Sequence, residues 1–115
     1  MPAWLMLEAD FQFSDNLGPI RSGYRADLQA HGSDLYYGVH FVSPPATIFQ
    51  GDQLRLQMVV RAYPKDQCAP LSVDRRVFIK EGPLTKAEGV IRRRWEHQSQ
   101  AESVTDLGKE LGCDF

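Results

Sequence analysis

Cysteine is scarce: Cys68 and Cys113 are the only two in 115 residues. A secreted domain of this size that depends on disulfides carries more, so two reduced thiols and a cytoplasmic location are expected. Long apolar runs are missing too, and no segment approaches the ~20 residues of a membrane-spanning helix. The opening Met1–Glu8 has no basic flank and too short an apolar run for a signal peptide, which predicts that none is present. Neither sign of charge dominates, since 13 Lys and Arg face 15 Asp and Glu for a net charge of -2. That balance excludes an overall positive field drawing in nucleic acid. Catalytic and metal-binding patterns are also lacking. His31, His40 and His97 stand singly, without the paired Cys or His spacing of a zinc site. No Gly-x-Ser-x-Gly elbow occurs, and the Gly82 to Gly89 stretch lacks the spacing and the Gly-Lys-Ser/Thr ending of a phosphate loop. No enzyme activity and no cofactor are expected.

What is present is a repeated period of two. Leu7, Ala9, Phe11 and Phe13 alternate with Glu8, Asp10 and Gln12, the pattern of a half-buried strand. The carboxylates of Glu8 and Asp10 share one strand face and read as its solvated side. Turn chemistry at Ser14–Pro19 ends that strand. Tyr24, Ala26 and Leu28 mark a second strand, and Tyr37, Val39 and Phe41 a third, in which His40 faces solvent or a strand neighbour. Leu54, Leu56, Met58, Val60 and Ala62 line a fourth, with Arg55, Gln57 and Arg61 outward. Val77–Ile79 forms a short fifth strand, and a last one runs from about Gly89 to Trp95. Six short strands with irregular turns fit a sandwich or a small closed barrel.

The final twenty residues change character. Ser99 to Glu102 has capping-box spacing, and Ala101, Val104, Leu107 and Leu111 recur at helical intervals up to Gly112. Gly108 inside such a helix costs roughly 1 kcal/mol relative to Ala, so the helix needs a surface, its own barrel or a partner, to lie on. Charge divides at the same point. Residues 1–95 carry 12 basic and 10 acidic side chains, whereas 96–115 carry one Lys and five acids. The acidic tail is therefore expected to fold back and mask the Arg92-Arg93-Arg94 run. That division gives a barrel over 1–95 and an acidic tail with a short helix over 96–115.

Four short motifs in order carry a family resemblance over about residues 5–95. They are Glu8–Phe13, Gly18–Leu28, Gln50–Leu54, and Phe78–Gly82 with Thr85 and Gly89–Ile91. Together they resemble the C-terminal β-barrel, the third domain, of elongation factor Tu and related translational GTPases. The resemblance implies a six-stranded antiparallel closed barrel, with Glu81, Gly82 and Gly89 in a structural hairpin where Lys80 or Arg25 pairs with Glu81. It implies no GTP binding, because nothing of the GTPase domain is present. In that family the barrel touches the T-stem of aminoacyl-tRNA and binds the nucleotide exchange factor. The family's tRNA-contacting arginine and histidine fall here on Asn16 and Leu17, its glutamine on Asp27, and its hairpin glycine-arginine on Pro83-Leu84. Each change removes a phosphate contact, and Asp27 adds repulsion.

The expected function is therefore a stand-alone, non-enzymatic binding module, with another protein as its partner and no membrane contact. A translation accessory binding tRNA or other structured RNA is the alternative, through a basic strip of Arg21, Arg25, Arg75, Arg76 and Arg92 to Arg94. Leu84, Trp95 and Trp4 are the apolar candidates for a protein contact.

Overall fold

The computed structural model describes residues 3–20, 23–61 and 65–113. Six strands appear in the order the alternation predicts: β1 (Ala3–Phe13), β2 (Arg25–Ala30), β3 (Tyr36–Val42), β4 (Gln53–Val60), β5 (Arg76–Glu81) and β6 (Leu84–Gln98). They close in the order β1-β4-β3-β2-β5-β6, every neighbouring pair antiparallel. The all-β closed barrel is thus the observed fold, joined by one short C-terminal helix, α1 (Val104–Leu111). No described helix is long and apolar enough to cross a membrane.

The barrel interior is filled by the period-two residues. Leu5, Leu7, Ala9, Phe11 and Phe13 of β1 meet Leu28, Val39, Phe41, Met58, Val60, Val77, Ile79 and Ile91, all essentially excluded from solvent. Closing the sheet satisfies the backbone of short strands that would otherwise present open edges. His40, placed by alternation toward solvent or a strand neighbour, pairs with Arg25 in the ladder but is itself buried. Its Nδ1 donates to the Gly23 carbonyl oxygen at 3.1 Å, and burial lowers its pKa.

Four boundaries differ most from the sequence reading. β1 starts at Ala3, four residues before Leu7, because its first residues continue the ladder with β6. β6 starts at Leu84, since Gly82 and Pro83 make a two-residue turn with Gly82 at φ 58°. It also runs to Gln98, so the division at 95/96 falls inside a strand. The helix begins later than the capping-box spacing suggested. Its N-cap is Ser103, whose hydroxyl accepts the Asp106 N–H at 3.1 Å; Ser99 instead accepts the Ala101 N–H at 2.9 Å. Gly112 ends the helix in the left-handed region at φ 74°, as expected.

β6 carries two extra residues relative to its neighbours. The register passes from Glu8↔Arg93 to Ala9↔Ile91, which leaves Arg92 unpaired, and from Ile79↔Ala87 to Lys80↔Thr85, which leaves Lys86 unpaired. A bulge turns the following side chains over and re-aims its own. Both bulged residues are cations, and both are aimed at carboxylates.

Candidate interaction surfaces

One end of the barrel gathers the β1–β2 loop, the β3–β4 loop and the β5–β6 hairpin. Glu81, the last residue of β5, accepts a hydrogen bond from the Tyr24 hydroxyl, and burial, then this bond, raises the Tyr24 pKa. The bulged Lys86 lies 2.9 Å from the Asp15 carboxylate and 3.8 Å from that of Glu81. Glu81 therefore is a structural hairpin residue held by Tyr24 and Lys86, while Lys80 donates to the Thr85 hydroxyl at 2.8 Å instead. Asn16 accepts the Gln50 N–H at 2.7 Å, and Leu17 is buried in a bridge to Ile48. These two positions tie loops together, and neither carries the positive charge of the family's arginine and histidine. On either side of the β1 exit, Leu84 and Phe49 are 56% and 61% exposed.

Gly89, in mid-barrel, is required by close packing. A β-carbon there would stand 2.4 Å from the Asp10 carbonyl oxygen and 2.4 Å from the Phe11 ring. The backbones of β1 and β6 approach at a distance only glycine permits.

The arginines do not form one strip. Arg21 lies outside the described residues. Arg25 sits beyond the Asp27↔Lys80 pair and Arg92 beyond Arg76↔Val90, at opposite ends of the β2-β5-β6 sheet. At ~3.3 Å per residue that is a separation of roughly 25 Å. Arg92 lies 3.1 Å from Asp10 and 3.6 Å from Asp74, and Arg55 lies 2.7 Å from the same Asp10. With two guanidinium groups on it, Asp10 is held down at about 2, mainly by Arg55. Arg93 stacks 4.7 Å over the Trp95 ring and lies 3.9 Å from Glu8. The bulge puts Arg92 and Arg93 on the outer side together, where plain alternation would separate them.

Arg94 turns the other way. It donates to the carbonyl oxygens of Cys68 and Leu71 at 2.6 and 2.7 Å, both residues being fully buried in the core. It therefore fastens the loop that follows the 3-10 turn Lys65–Cys68. Arg75 donates to the His31 carbonyl oxygen, and Arg76 bonds the Glu88 carboxylate. Five arginines of the expected strip are thus bonded within the protein. The partners found for them among the described residues are carboxylates and carbonyls of residues before the tail.

The tail lies elsewhere. α1 rests on the outer face of the barrel, where Leu107 is buried with Met6 and Val59, and Trp4, Val42, Trp95, Ala101 and Leu111 surround them. Trp4 and Trp95 are half-buried under this helix, which leaves Leu84 as the exposed member of the three apolar candidates. Met6 and Val59 had escaped the strand pattern because they occupy outward positions. Their signal is a change along the outward rows, from Gln12, Asp10 and Glu8 to Met6 on β1, and from Gln53, Arg55 and Gln57 to Val59 on β4.

Cys68 and Cys113 are free thiols. Among the described residues no group of three or more His, Cys, Asp or Glu is arranged to hold a metal ion. A shallow groove of about 580 Å³ along β1 and β6 is lined by Asp10, Gln12, Arg76, Glu88 and Arg92, whose charges neutralise one another. No family model matches the chain, and no curated protein matches it in sequence.

Proposed function

We propose that this chain is a non-enzymatic binding module that acts on its own in the cytoplasm and engages another protein, on a barrel resembling the third domain of elongation factor Tu. The observation that carries this reading is the contrast at the surface. Five of the seven arginines that an RNA would need are bonded to Glu8, Asp10, Asp74, Glu88 and backbone carbonyls, whereas Leu84 and Phe49 stand exposed at one end without such partners. The carboxylates beside Arg76, Arg92 and Arg93 cancel the positive potential that a phosphate would seek, and Arg94 would have to leave two backbone carbonyls to reach one. Covering two large apolar side chains with a partner carries no such cost.

The test is affinity capture from native lysate, with and without ribonuclease, using the wild-type chain and the Leu84→Asp/Phe49→Asp variant. A protein that survives ribonuclease and is lost with the variant supports the reading. Both positions are exposed, so the variant is expected to melt within a few degrees of wild type. Capture indifferent to the double substitution refutes the assignment of this end. Capture of tRNA that disappears at high salt would return the module to RNA binding.

A further inference from the structure

The outer face of a small barrel is ordinarily polar, and over most of β1 and β4 it is. At Met6 and Val59 it becomes apolar, and those side chains are 3% and 0% exposed because α1 lies across them. Trp4, Val42 and Trp95 complete a seat shaped for one helix.

The present occupant is weakly held. α1 has eight residues, contains Gly108, and inserts a single fully buried apolar side chain, Leu107. At its rim Glu110 accepts from the Ser99 hydroxyl and lies 3.4 Å from the His97 Nε2. A helix of two turns does not persist in water without a surface. Segments with few buried anchors open before the whole fold does.

We infer that this seat is a docking groove for an acidic amphipathic helix of another protein, and that α1 fills it in the free chain. The helical occupant follows from the seat already holding a helix. Its charge follows from the rim: His97 lies 3.4 Å from the carboxylate of Glu110, Arg93 stacks on Trp95, and α1 itself carries Asp106 and Glu110 against Lys109. The incoming helix carries apolar side chains four residues apart, as Leu107 and Leu111 are, and a carboxylate at the place of Glu110. With more than two turns it makes contacts that α1 lacks, and it displaces α1 by its greater affinity for the seat. This face is distinct from the one bearing Leu84 and Phe49, so either assignment can fail alone.

Both tryptophans of the chain, Trp4 and Trp95, belong to the seat, so tryptophan emission reports its occupancy. In urea, the wild-type emission should shift to the red at a lower concentration than that at which the far-ultraviolet β signal is lost. Coincident transitions would overturn an independently opening α1. In a second measurement, a labelled peptide of residues 99–113 is titrated into the wild-type chain and into full-length Gly108→Pro, whose proline breaks α1. The peptide should bind Gly108→Pro at least tenfold more tightly than wild type, and a Leu107→Asp peptide at least tenfold more weakly than the native peptide. Equal binding to both chains, or none to a folded Gly108→Pro chain, refutes the proposal. Dimerisation of Gly108→Pro that excludes the peptide assigns the seat to a second copy and refutes it as well. Should Gly108→Pro fail to fold, the wild-type urea transitions decide.

Discussion

The two ends of the barrel are finished by different means. At the hairpin end the loops are tied by polar side chains over short reach: Tyr24 to Glu81, Lys86 to Asp15, and Asn16 to the Gln50 backbone. Leu17, Ile20 and Ile48 of these loops enter the core, while Leu84 and Phe49 remain outside. The other end combines apolar burial with an arginine clamp. Cys68 and Leu71 enter the core, Arg94 clamps their carbonyls, and α1 covers Met6 and Val59 from outside. Leu84 and Phe49 stand exposed at the hairpin end and Leu35, Tyr36 and Val73 at the other, so the ends differ in how their loops are held more than in how much apolar surface they leave open.

That contrast can be broken from the middle outward. Gly89→Ala should have the largest effect. Its β-carbon would collide with the Asp10 carbonyl and the Phe11 ring, which belong to neighbouring backbone and core, and about 3 kcal/mol of stability should be lost in urea unfolding. Arg94→Ala comes next. It leaves two carbonyls of the loop without their donor, and a loss of about 2 kcal/mol is expected, with faster hydrogen exchange confined to the 65–75 segment. At the polar end Tyr24→Phe removes one hydrogen bond to Glu81, and calorimetry should register about 1 kcal/mol. An equal loss from Tyr24→Phe and Arg94→Ala would remove the distinction between the ends.

The smallest effect belongs to the exposed network on the barrel wall. Asp10 is held at about 2 against an ordinary 3.8, chiefly by Arg55, so its ionised form is favoured by folding. Its contribution is complete above the unfolded value and is lost as pH falls through the folded one. Because the pair is solvent-exposed, the effect on stability should be below about 0.5 kcal/mol. The carboxyl titration followed by NMR should show a midpoint below 3.8 that moves toward it in Arg55→Ala. A midpoint unmoved by that substitution would mean that Arg55 does not hold this carboxylate.

Much of the barrel was legible because its signal is local. Alternation from Leu7 to Phe13 and from Leu54 to Val60 specifies which side of each strand is buried, and the six strands appear where those runs lie. The bulges at Lys86 and Arg92 were not legible, since an extra residue leaves no mark in an alternating pattern until two registers are compared. The arginine run shows the consequence: one inserted residue sends Arg92 and Arg93 out together and Arg94 in. Of the two surroundings open to His40, a strand neighbour is the one found: it lies between Arg25 and Val59 in the ladder, buried, with the Gly23 carbonyl accepting its hydrogen bond. The helix N-cap is Ser103 and not Ser99, since it is Ser103 whose hydroxyl accepts an N–H of the first turn, that of Asp106.

The amino-acid sequence by itself determined the strands, their inner faces, the Gly82-Pro83 turn and the helical tail with its Gly112 stop, all features encoded within a few residues. Only the tertiary structure decided which cations meet which carboxylates, that Gly89 is needed for two backbones to touch, and that the tail lies on Met6 and Val59. Those outcomes join side chains of different elements, as Asp10 with Arg92 or Met6 with Leu107, and only closure of the barrel brings them together.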